Sequence, residues 1–188
     1  MPRGGRACAI AVLALAASGC IGATDRADFD AEVRARGGGV TNDWVADAIG
    51  EVATSVGASA TDPLSVLAIT VSPLARTVTV IARRNDRPEF VDTVVVRDGD
   101  VVATTPMRDA DAMPLDELTV PVSELPIEDV EELSDRALAE FGESDGFVSS
   151  IRFAIVDDDR VIQVDVESAR RTATVEFDGD GNVIGVPR

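Results

Sequence analysis

The chain has 188 residues, 45% of them hydrophobic but only 4% aromatic, and a formal charge of −17. All 17 basic residues are arginine; lysine, histidine and tyrosine are absent. That inventory excludes a Ser-His-Asp triad, a Cys-His pair, a His-ligated zinc site, Schiff-base chemistry and a P-loop lysine, and the negative field disfavours nucleic acid and anionic head groups as partners.

The N-terminus reads as an export signal. "MPRGGR" carries Arg3 and Arg6 as its only charges, and an apolar run from Ala7 to Ala17 follows. That run is shorter than the roughly 20 residues a spanning helix needs, and it precedes small residues of the kind found before a signal-peptide cut. Ala17-Ser18-Gly19-Cys20 resembles the lipobox of bacterial lipoproteins, with Ala17 where leucine is usual. The resemblance implies a signal peptide over 1–19 and acylation of Cys20. The competing reading is an ordinary signal peptide cut after Gly19 or Ala23. Cys8 leaves with the signal, so Cys20 is the one thiol of the mature chain, and acylation accounts for it. Two acyl chains on one residue hold a protein stably at a membrane, whereas one is marginal. The mature chain also loses Arg3 and Arg6, which makes it more acidic still. Arginine without lysine fits a GC-rich genome; the acidity equally fits salt adaptation.

Residues 20–41 form a polar lead. "DRADFDAEVRARGGG" holds either a short helix from Asp28 to Arg36, ended by Gly37–Gly39, or a flexible tether. From residue 42 the pattern sharpens. "NDWVADAIGEVATSVG" puts Val45, Ala48, Ile49, Val52 and Val56 on one helical face, with Asn42 or Thr41 as cap and Gly57 as stop. "LSVLAITV" and "RTVTVIARR" read as strands. "EFVDTVVVRDGDVV" reads as a strand, an Asp98–Gly99 turn and a short final strand. Residues 106–125 are a linker whose Pro106, Pro114 and Pro121 forbid a long helix. Within it "LDELTVPV" reads as a short extended segment.

The order then recurs: a helix in "IEDVEELSDRALAEFGES", and strands in "FVSSIRFAIV", "RVIQVDVES" and "TATVEFDGDGNVIGV". A constant offset of 85 carries Val45 to Val130, Val52 to Ala137, Gly57 to Gly142, Val66 to Ile151 and Ala68 to Phe153. The final turn repeats at 82, so the loop around "NDRPEF" should be three residues longer than its counterpart. The expected architecture is α+β. It comprises two tandem α-β-β-β units, 42–105 and 126–188, whose helices pack on one face of antiparallel sheet.

The second unit resembles a PepSY-like domain, on the helix motif "SDRALAEFG" and the ending "VEFDGDGNVIGV". The chain as a whole is similar to actinobacterial lipoproteins with an "RPEFVD" loop and an "RDG" turn. The resemblance implies a non-catalytic, extracytoplasmic binding or inhibitory module. It implies no enzyme activity and no cofactor.

Few side chains stand out as sites. Asp178, Asp180 and Asn182 in "DGDGN" have the spacing that starts a calcium loop, but an EF-hand needs glycine sixth and glutamate twelfth. Val183 is sixth and the chain ends at the eleventh, so a hairpin turn is the stronger reading. "VDDDR" at 156–160 is likewise a turn. Trp44 opens the first helix opposite Asp129 in the repeat alignment. It is either an outward binding anchor or a ring folded over the sheet edge. Arg83, Arg84 and Arg87 either meet a carboxylate or phosphate partner or pair locally with Asp86 and Glu89. The leading functional expectation is a membrane-anchored module that binds an envelope or secreted protein. Alternatives are a carrier of a small or lipidic ligand between helix and sheet, and an acidic cation-binding surface module.

Overall fold

A computed structural model describes residues 37, 39–107, 113–156 and 159–186. The signal peptide expected over 1–19, Cys20 and the helix expected at Asp28–Arg36 lie outside the described residues.

Helix α1 spans Asn42–Ser55 and is followed by strands β1 (Ser65–Ser72), β2 (Thr77–Arg83), β3 (Val91–Arg97) and β4 (Asp100–Pro106). A single helical turn, α2 (Leu115–Leu118), and a two-residue strand, β5 (Val120–Pro121), lie in the connection. After two 3-10 turns come α3 (Val130–Phe141) and strands β6 (Phe147–Val156), β7 (Asp159–Glu167), β8 (Thr172–Phe177) and β9 (Val183–Gly185). The chain is therefore α+β, with mostly antiparallel sheet. Each helix is followed by four strands rather than three, because the short final strand expected after Asp98–Gly99 runs for seven residues.

All strands belong to one sheet in the order β4-β3-β2-β1-β6-β7-β8-β9, with β5 beside the start of β1. The two meanders meet where β1 and β6 pair antiparallel, Thr70 opposite Arg152. Helices α1 and α3 cover one face. Across that face runs a row of fully buried side chains, Val78, Val71, Ile151, Val164 and Val175, with Val96 at its end. A parallel row holds Val94, Val80, Ile69, Phe153, Ile162 and Phe177. Val45, Ala48 and Val52 of α1 and Leu133, Ala137 and Phe141 of α3 pack on these rows in one cluster. Alternation along the strands, broken only at bulges among the described residues, puts every second residue there.

The register corrects the offset of 85 in the strands. Bulges interrupt β1 between Val66 and Ala68 and β6 between Val148 and Ser150. Matching them aligns Val66 with Val148, Ile69 with Ile151 and Val71 with Phe153, all 82 apart and all buried. The helices keep 85: Gly57 and Gly142 both close their helices at positive φ, 77° and 76°. The β2–β3 connection, 84–90, is three residues longer than 168–171.

Helix starts leave backbone N–H groups without partners. Thr41 Oγ1 accepts from Trp44 N in α1, whereas α3 has no side-chain cap of its own. A cross-link supplies one. Glu131 N–H donates to Asn42 Oδ1 at 3.1 Å, and Asn42 N–H donates to Glu131 Oε1 at 3.0 Å.

Candidate functional site: the open face of the sheet

Among the described residues the second face of the sheet carries no helix beyond the single turn α2. The connection crosses it once. Met107, Met113 and Leu115 pack over Leu67, Ile81 and Val91 in a small separate cluster. The extended segment expected at 115–122 is instead a helical turn plus the two residues of β5. Elsewhere the face carries one cross-sheet row that the pairing registers spell out: Ala103, Val95, Thr79, Thr70, Arg152, Gln163, Glu176 and Gly185. All eight are half-buried or exposed. The β4–β1 half of the row is uncharged and short-chained. The β6–β9 half is polar, with Gln163 Nε2 donating to Glu176 Oε1 at 3.0 Å, and beside the row Thr174 Oγ1 donates to Asp165 Oδ1 at 2.6 Å.

Arg152 stands at the middle of the row, opposite Thr70. Among the described residues it has no ion pair. Seven of the ten described arginines find an acid, and Arg97, Arg152 and Arg170 do not; an exposed one on the open face is available to a carboxylate from outside. Neither the periodicity nor the motifs single out Arg152. Its place follows only from the β1–β6 junction, which no local pattern announces.

The residues selected from sequence are not gathered at that face. Trp44 is half-buried and packs against the core, with the Arg76 guanidinium 4.7 Å from its ring centroid. Arg76 in turn lies 3.5 Å from Asp98, so the ring ties the first turn of α1 to two hairpin ends. Arg83, Arg84 and Arg87 do cluster, around an open cleft of about 220 Å³ that Arg83 and Arg84 line. Their charge is already matched. Arg83 Nη1 meets Asp116 at 2.6 Å, and Arg84 grips Asp86 at 2.8 and 2.9 Å. Arg84 also reaches the buried Asp92 at 3.2 Å, and Arg87 lies 3.8 Å from Asp86 and over Phe90. The pairs with Asp92 and Asp116 span elements, so pairing with the neighbouring acids alone could not predict them. Hydrogen bonding from Arg84 holds the Asp86 carboxyl below its ordinary range, and the same bond raises Arg84.

At the β8–β9 turn, Asp178 is occupied by its own loop. Oδ1 accepts from Asn182 N at 2.8 Å and Asp180 N at 3.0 Å, and Oδ2 accepts from Asn182 Nδ2 at 3.0 Å. Those bonds, led by the one from the Asn182 backbone, lower the Asp178 pKa. Donors, not acceptors, point at the carboxylate, so Asp178, Asp180 and Asn182 form a turn rather than a ligand shell. Residues 157 and 158 of "VDDDR" lie outside the described residues. Among the described residues no three acidic or cysteine side chains are grouped to hold a metal ion, and no helix is long and apolar enough to cross a membrane.

No protein-family model matches the chain, and no curated protein matches it. Among solved structures, a candidate lipoprotein from Clostridium difficile 630 shares the fold. Its TM-score is 0.54 at 14% identity, covering 76% of this chain and 90% of that one.

Proposed function

We propose that the chain is a non-catalytic, lipid-anchored module on the outer side of a cell membrane that docks an envelope or secreted protein on its open sheet face. It would be built from two tandem copies of a PepSY-like helix-and-meander unit. The cross-sheet row, free of cover among the described residues, with Arg152 at its centre and without an ion pair among them, is the observation that carries this reading. Half of the face carries short, uncharged side chains, and one central arginine gives a partner carboxylate a place to register. The anchor rests on the lipobox-like Ala17–Cys20 and gains support from the fold shared with a candidate lipoprotein. Duplication gains support from the helix-then-four-strands order occurring twice and from bulges at matching positions. With the cations around Arg84 matched and Asp178 committed to its turn, neither offers a second site of comparable promise.

Two measurements test the reading. Cys20→Ser should move the protein from the detergent phase to the aqueous phase on partitioning; a mutant that stays in the detergent phase removes the anchor. Arg152→Glu, an exposed substitution, should leave the fold's melting point nearly unchanged and lower recovery of the cross-linked partner at least tenfold. Equal recovery from wild type and variant removes the docking face.

A further inference from the structure

We infer that the groove between α1 and the connection at 122–129 is the seat of the chain's own lead, residues 29–36. The groove has a volume of about 420 Å³ and lies away from the open face, because α1 forms one of its walls. Ala46 and Ile49 make that wall, and Val122, Leu125, Pro126 and Ile127 make the facing one. Ala46 is exposed, and Val122 and Pro126 are half-buried, so the groove offers apolar surface left uncovered by the described residues. Glu128 and Asp129 also line it. Both are exposed, and neither has an ion pair among the described residues.

The chain enters the body at the acidic end of this groove. Asn42, one turn before Ala46, exchanges hydrogen bonds with Glu131, two residues after Asp129. Upstream, Val40 is buried in the main core. Val40 N donates to Gly37 O at 3.3 Å, and a turn closed in that way keeps its ends within about 7 Å of each other. Whatever precedes Gly37 therefore starts beside Glu128 and Asp129.

The residues before Gly37 match the groove in order as well as in kind. Arg36 adjoins Gly37, and Val33 and Phe29 lie three and seven residues further back. On the helix expected there these three share one face. Arg36 then meets Glu128 and Asp129, and Val33 and Phe29 reach the apolar walls, about 10 Å further at 1.5 Å per residue. The short link through Gly37 gives this segment a high effective concentration that a second copy or a free ligand lacks. Docking also shortens the leash. An extended chain from Cys20 to Gly37 reaches about 60 Å, and one from Cys20 to Phe29 about 30 Å. That consequence alone rests on the anchor reading.

The test uses the full chain in detergent with Cys8→Ser and Cys20→Ser, so that a nitroxide on Ser123→Cys is the one label. Ser123 is exposed and lines the groove. Amide relaxation is read by NMR. The nitroxide should raise the relaxation rates of the Phe29 and Val33 amides at least threefold over a diamagnetic control. A nitroxide on Glu140→Cys, on the exposed side of α3, should leave them unchanged. Phe29→Asp with Val33→Asp should abolish the enhancement, and Glu128→Arg with Asp129→Arg should reduce it at least twofold. No enhancement in the parent chain overturns the inference, and so does enhancement that survives both pairs of substitutions. Enhancement seen only when nitroxide and 15N label are on different molecules would assign the groove to a second copy and also overturn it. None of these outcomes involves Arg152 or an acylated Cys20, so the docking-face and anchor proposals stand or fall separately.

Discussion

Asp178 illustrates how much one side chain contributes when its loop is built around it. Its folded pKa lies below the ordinary carboxylate value because four donor contacts from Asp180 and Asn182 favour the charged form. A depressed carboxyl pKa adds stability that is complete above the unfolded value and is lost as pH falls through the folded one. The stability gap between wild type and Asp178→Ala should accordingly be full at pH 7 and shrink below pH of about 4. A gap independent of pH would contradict the assignment. Arg84 makes a contrasting case, since among the described residues it alone pairs with the buried Asp92. Arg84→Ala strands that carboxylate and should lower the melting temperature clearly more than Arg87→Ala, whose partners are exposed. Equal effects would show that Asp92 does not need Arg84. From sequence the three arginines were visible as a cluster and Asp178 as a turn residue. Asp92 was not, because nothing in "VDTVVV" distinguishes a buried acid from a solvated one.

The elements that declared themselves did so through periodicity and punctuation. In α1, the spacing of Val45, Ala48, Ile49 and Val52 matches the buried stripe. Asp98 and Gly99 both have positive φ, 51° and 90°, as a two-residue hairpin turn requires. Bulges carry no such mark. The offset of 85 slipped to 82 in β1 and β6 for another reason: seven residues, 58–64, join Gly57 to β1 where four, 143–146, join Gly142 to β6, and an odd shift changes which side chains face the core. Equally silent was the exchange between Asn42 and Glu131, residues that are 89 apart in sequence. It gives α3 a cap its own Asp129 does not provide. Asn42→Ala should cost about 1 kcal/mol in chemical denaturation, as loss of a cap does elsewhere. Glu131→Ala should cost little more in an Asn42→Ala background if the two act as a unit. Additive losses would mean that they stabilise their helices independently.

On the scale of the whole molecule, the β1–β6 junction makes one core of two meanders. Ile69 and Phe153 face each other across it, both wholly buried. Denaturation should then be a single transition seen alike by probes in either half, and Phe153→Ala should lower stability by about 3–5 kcal/mol without splitting the transition. Two separated transitions would mean that the halves fold as independent domains. The same continuity creates the broad outer face, since eight paired strands leave a continuous row from Ala103 to Gly185. Composition foretold an acidic surface, and the order of helix and strand patterns foretold α+β. That the halves would join edge to edge, and so place Arg152 opposite Thr70, depends on contacts far apart in sequence that no local pattern encodes.

Site-specific photo-cross-linking in intact cells tests the docking face most directly. A photoreactive side chain is placed in turn at Thr70, Thr79 and Gln163 on the open face, and at Asp47 and Glu140 on the exposed sides of the helices. The account predicts one discrete adduct shared by the three sheet positions and absent from Glu140, with any adduct at Asp47 of different mass. Adducts confined to the helix positions, or no shared adduct from the sheet, would contradict it.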